Sequence, residues 1–171
     1  MQALFRVFWD IVVFRRGPRD VPPSLALLAT LAVLYAATSV VQARVMFAPV
    51  LALTCAIADL GLTCAVFAVA LMVRGRRHRL VQTLSAVLGS GALLSLPLIA
   101  LMSARSGVAD ADPRAFLLSV ALVPFEIWYL FVMGHIARLA LEVTLFTGMA
   151  IAMTYAVLSY VLVEQLPAAV N

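Results

Sequence analysis

The sequence predicts an all-α protein: a polytopic integral membrane helical bundle of five transmembrane helices with an N-terminal interfacial amphipathic helix. Three observations carry this prediction. Hydrophobic residues make up 65% of the 171 residues and charged residues only 12%, about half the charge of a soluble domain. Five apolar runs are long enough to cross a ~30 Å hydrocarbon core at ~1.5 Å per residue. The arginines gather in alternate connections, the pattern that orients membrane helices.

The first element lies within residues 1–22. Its apolar stretch, "LFRVFWDIVVF", is short and is interrupted by Arg6 and Asp10, so it is unsuited to crossing a bilayer. Gln2, Arg6 and Asp10 recur every four residues and form a polar stripe. Leu4, Phe5, Phe8, Trp9, Ile11 and Val12 supply the opposite, apolar face. That pattern predicts a helix lying in the headgroup plane. It makes a poor signal peptide, because charge breaks the apolar region and no small-residue cleavage site follows. "RRGPRDVPPS" then reads as a basic, proline-punctuated connector.

The spanning domain is predicted over 23–163. Span one, 23–41, follows Asp20 with prolines near its first turn, where a missing N–H costs nothing. Span two, 46–73, is long enough to require tilt or ends that pass beyond the hydrocarbon. Span three covers 80–103, and the polar loop "ARSGVADADPR" leads to span four at 115–134. Span five covers 139–163 and leaves a short tail, 164–171. The break between the last two spans is expected within "GHIARLALE", between Gly134 and Leu139. A single helix over 115–163 would exceed ~70 Å, more than twice the hydrocarbon thickness.

Charge places the N-terminus in the cytoplasm and the C-terminus outside, in the periplasm or extracellular space. Arg6, Arg15, Arg16 and Arg19 precede span one, Arg74, Arg76, Arg77 and Arg79 separate spans two and three, and Arg138 separates spans four and five. Only Arg44, Arg105 and Arg114 fall in the opposite loops. The expected partners are the lipid bilayer, with anionic headgroups meeting Arg15, Arg16, Arg19, Arg74, Arg76, Arg77 and Arg79, and other membrane proteins or a second copy of the chain. Nucleic acid is not an expected partner, because "RGRRHR" sits directly at a membrane boundary.

No motif for catalysis, cofactor or metal binding is present. All twelve basic residues are Arg, which removes the lysine amine from any covalent scheme. Cys55 and Cys64 point in nearly opposite directions on a helix turning ~100° per residue, and no Cys/His cluster accompanies them. The polar groups that need an explanation are two mid-span carboxylates, Asp59 and Glu126. Each costs roughly 2.5 to 3.5 kcal/mol on insertion scales, so both are expected to face the bundle interior. Cys55 and Thr63 lie one turn either side of Asp59, and Tyr129 lies three residues after Glu126. The functional reading is a proton or ion site between spans two and four; the alternative is a pair of hydrogen-bonded acids that fix packing. Pro124 removes a backbone hydrogen bond just before Glu126 and can kink span four there. Small residues mark close helix approach: Gly89 and Gly91 on span three, and Thr144, Gly148, Ala152 and Ala156 on span five.

The basic approach to span three, followed by glycine and then proline, is "GRRHRLVQTLSAVLGSGALLSLPLIAL", with Gly89, Gly91 and Pro97. A later Trp-to-Gly portion is "WYLFVMG", Trp128 to Gly134. With five compact spans and a translocated C-terminus, this order resembles the Yip1-type membrane proteins over roughly residues 10 to 163. Aromatic residues often follow the span-three glycine in that family, and here "GSG" stands in their place. The resemblance implies a non-enzymatic scaffold or trafficking-type role through partners. An Arg-only chain with so little cytoplasmic sequence points to a bacterial inner membrane. The expected function is therefore non-catalytic, through lipid contact or partner binding, with a small proton-coupled or ion-conducting transporter using Asp59 and Glu126 as the alternative.

Overall fold

The computed structural model describes residues 2–170, with side chains over 4–166. It contains six α-helices: α1 (Gln2–Val12), α2 (Leu25–Arg44), α3 (Pro49–Val73), α4 (Leu80–Ser106), α5 (Pro113–Leu141) and α6 (Leu145–Val170). There is no strand among the described residues. Five of the helices are long and apolar enough to cross a membrane, and the protein is a multi-pass α-helical membrane bundle.

Local chemistry sets the helix ends. Ser24 caps α2, its hydroxyl accepting from the Leu27 N–H at 3.3 Å. Pro49 and Pro113 open α3 and α5, and Asp112 caps the latter by accepting from the Arg114 N–H at 2.8 Å. After α3, Gly75 takes the left-handed conformation at φ +67° and lets the Arg76 N–H reach back to the Leu71 carbonyl.

The turn between the last two helices lies later than the sequence suggests. α5 runs through Gly134, His135 and Arg138 and stops only after Leu141, where Glu142 adopts a left-handed φ of 53° and the Val143 N–H bonds to the Arg138 carbonyl. Gly134 serves helix contact instead of helix termination. A Cβ there would meet Met149 Sδ at 2.4 Å, and a Cβ on Gly148 would meet the Gly134 carbonyl oxygen at 2.4 Å. The two glycines are the seam between α5 and α6. At the far end α6 continues to Val170, through the residues read from sequence as a tail.

The five long helices close into a ring in the order α2, α3, α6, α5, α4 and back to α2. α4 is the most enclosed: 67% of its apolar window is buried, against 11 to 22% for the other four. The cause is α1. Besides its ring neighbours α2 and α5, α4 carries α1 on its outer side, with Phe8 stacked directly on Gly89, where a Cβ would lie 2.4 Å from the ring. Phe8, Ile11 and Val12 are buried, while Leu4, Phe5 and Trp9 remain exposed. The amphipathic helix is thus docked on the bundle through one face, and the Trp128 indole of α5 ties it down by donating to the Val12 carbonyl at 2.9 Å.

Candidate functional site

The charged residues of the two ends differ in kind. At the arginine-bearing end, Glu142 is the hub. It accepts from Arg19 of the connector and from Arg76, and from Arg79 at 2.8 Å, so the α1–α2 connector, the α3–α4 turn and the α5–α6 turn meet on one carboxylate. Hydrogen bonds from Arg76 and then Arg79 lower its pKa to about 2. Arg79 also donates to the Ala140 carbonyl near the end of α5. Arg16 pairs with Asp10 at 3.2 Å. Of the seven arginines expected at headgroups, Arg15, Arg74 and Arg77 are exposed and take no ion pair among the described residues, whereas Arg16, Arg19, Arg76 and Arg79 are engaged within the protein.

The chemistry that can face a ligand lies in the other half. A cavity of about 350 Å³ occupies the middle of the ring and reaches the turn between α2 and α3. Every long helix contributes to its wall: Tyr35 from α2, Asp59 from α3, Ser95 from α4, Glu126 and Tyr129 from α5, and Tyr155 and Ser159 from α6. The Asp59 carboxylate accepts three hydroxyl hydrogen bonds, from Tyr35 at 2.7 Å, Tyr155 at 2.8 Å and Ser159 at 2.9 Å. The two tyrosine hydroxyls also lie 3.3 Å apart. One acid therefore ties α2, α3 and α6 together, which offsets part of the cost of placing it mid-span. Glu126 has no such partner among the described residues and stands exposed on the cavity wall, two residues after Pro124. Pro97 in α4 and Pro124 in α5 lie in this hollow half, where each leaves a backbone carbonyl without its helical donor.

Of the residues singled out by sequence, Asp59, Glu126, Tyr129 and Cys55 share this cavity. Thr63 does not; it is fully buried one turn along α3 from Asp59. Both cysteines are free thiols. Gly91 lies under the Tyr35 ring, Ala152 is fully buried in α6, and Gly89 and Gly148 make the contacts described above. Tyr35, Tyr155 and Ser159 were not singled out, although a signal existed: Tyr35 and Tyr155 fall mid-span, where a hydroxyl in hydrocarbon requires a partner. No group of three or more His, Cys, Asp or Glu residues that could hold a metal ion occurs among the described residues. No protein-family model matches the chain, no curated protein is similar to it in sequence, and no solved structure is similar to it.

Proposed function

We propose that the protein takes up a proton or a small cation in this cavity and moves it across the membrane, with Asp59 and Glu126 as the charged groups. The observation that carries the reading is the convergence of all five spanning helices on one cavity whose wall holds both mid-span carboxylates. An acid held at mid-span without a cationic neighbour is costly, and such residues mark ion and proton pathways in membrane proteins. The positive-inside pattern supports an orientation with the arginine-rich end and the N-terminus in the cytoplasm and the C-terminus outside, in what we take to be a bacterial inner membrane. The cavity then faces the outer side, and the packed half beneath it is the barrier that opens during transport.

The test is flux in reconstituted vesicles carrying an internal pH dye. The native protein is expected to dissipate an imposed pH gradient faster than empty vesicles, and Glu126→Gln is expected to fall to the empty-vesicle rate. A native rate equal to that of empty vesicles overturns the reading. A second reading, a non-catalytic Yip1-type scaffold acting through lipids or protein partners, is favoured by the exposed, unpaired Arg15, Arg74 and Arg77. Crosslinking in native membranes tests it: a recurrent partner or a dimer supports the scaffold, and monomers under every condition count against it.

A further inference from the structure

The chain contains four tyrosines, and all four, Tyr35, Tyr129, Tyr155 and Tyr160, line the cavity. Membrane proteins ordinarily spend tyrosine at the two headgroup boundaries, where the ring is buried and the hydroxyl is wet. Here they come from three helices and converge on one volume together with Phe47 at its mouth. Two of the hydroxyls are committed to Asp59, so these rings are held in place by their hydrogen bonds. The wall then carries five aromatic side chains, of which Tyr35 and Tyr155 are buried, and one unpaired carboxylate, Glu126, beside the polar Ser39, Gln42 and Ser95.

We infer that the ligand of this cavity is a small organic monocation of the alkylated-ammonium class, its charge paired with Glu126 and its alkyl groups against the tyrosine rings. The inference rests on the transport reading and names its substrate class. Three features select it. Aromatic faces attract a cation through the ring quadrupole, and the attraction grows as water is excluded. A volume of about 350 Å³ lies within the range of small-molecule sites and far exceeds that of a bare metal ion. An inorganic cation would instead be held by several charged or carbonyl oxygens converging on one point, and of the two carboxylates on the wall Asp59 already accepts from three hydroxyls, which leaves Glu126 alone without a partner. One free carboxylate sets the ligand charge at one.

The experiment titrates the full-length protein in lipid nanodiscs with tetraethylammonium by calorimetry, with sodium chloride as the competing cation. Saturable binding that equimolar sodium does not displace is expected. Glu126→Gln is expected to weaken it about tenfold or more, from loss of a charged partner. Tyr129→Leu is expected to weaken it about five-fold and Tyr129→Phe less than two-fold, because the ring and not the hydroxyl carries the attraction. Thermal unfolding of each variant confirms that it is folded. Absence of saturable binding to the native protein, displacement by sodium, or equal affinity in Glu126→Gln overturns the inference. Glu126-dependent proton flux without tetraethylammonium binding overturns the organic-cation class alone, whereas a native flux equal to that of empty vesicles overturns the transport reading and this inference with it.

Discussion

The two halves of the bundle are built from similarly apolar sequence and do opposite things with it. In the arginine-bearing half, α4 is buried at every position from Thr83 to Ala92, and the apolar side chains of Phe67, Leu71, Leu88, Met133 and Ile136 fill the ring. In the other half the same helix surfaces at Leu96 and Pro97, and the centre of the ring is a cavity. The difference follows from the residues at the helix contacts. Gly89, Gly134 and Gly148 let helices and the Phe8 ring close up in the first half, whereas tyrosines and carboxylates stand at the contacts in the second. In a bilayer, where apolar surface gains little from turning inward, side-chain size decides whether a bundle seals or stays hollow.

The strongest way to break this contrast is to open the sealed half. Gly148→Val places a branched side chain where even a Cβ would meet the Gly134 carbonyl oxygen at 2.4 Å, and backbone cannot step aside as a side-chain end can. A loss of about 3 kcal/mol, at the top of the range for overpacking, is expected. Thermal unfolding in detergent checks it, and native stability in this variant would contradict the α5–α6 seam.

The next largest effect lies at the cavity floor. Asp59→Ala removes three hydrogen bonds of about 0.6 kcal/mol each in a membrane, so a loss of about 2 kcal/mol is expected. Tyr155→Phe, which removes one bond to Asp59, should lose about a third of that. If the two variants were equally stable, Asp59 would not be the clasp between α2, α3 and α6.

Much of this architecture is legible in sequence because hydropathy marks a spanning helix without reference to its neighbours. Asp59 and Glu126 stand out for the same reason, as charges inside apolar runs. Tyr35, Tyr155 and Ser159 do not, since such residues are common in membrane helices and only the packing reveals that they point at one carboxylate. The turn after α5 was misplaced because glycine marks helix termini and helix contacts alike, and at Gly134 the contact with Met149 decides. The docking of α1 was hidden for a related reason. An amphipathic period looks the same whether its apolar face meets lipid or the groove at Gly89.

A smaller effect at the sealed end is set by pH. Glu142 has a folded pKa of about 2, below the ordinary value of 4.5. A depressed folded pKa contributes stability that is fully present above about 4.5 and is lost as pH falls toward 2. Native protein should therefore lose thermal stability through that window faster than Glu142→Gln, whose side chain does not titrate. Parallel pH profiles would show that the three arginines do not depend on this carboxylate to hold the connector and the two turns together.

The smallest expected change in stability belongs to Glu126→Gln, and it separates the two halves most cleanly. The side chain makes no hydrogen bond or ion pair among the described residues and is exposed on the cavity wall, so its replacement by an isosteric amide should shift stability by less than about 0.5 kcal/mol. An acid kept for packing would behave like Asp59, whose loss unties three helices. One kept for a ligand would leave the fold intact and remove only the charge that faces the cavity. Unchanged unfolding together with lost cation flux would assign the hollow half to function and the sealed half to stability. A loss of stability comparable to that of Asp59→Ala would instead make Glu126 a structural residue.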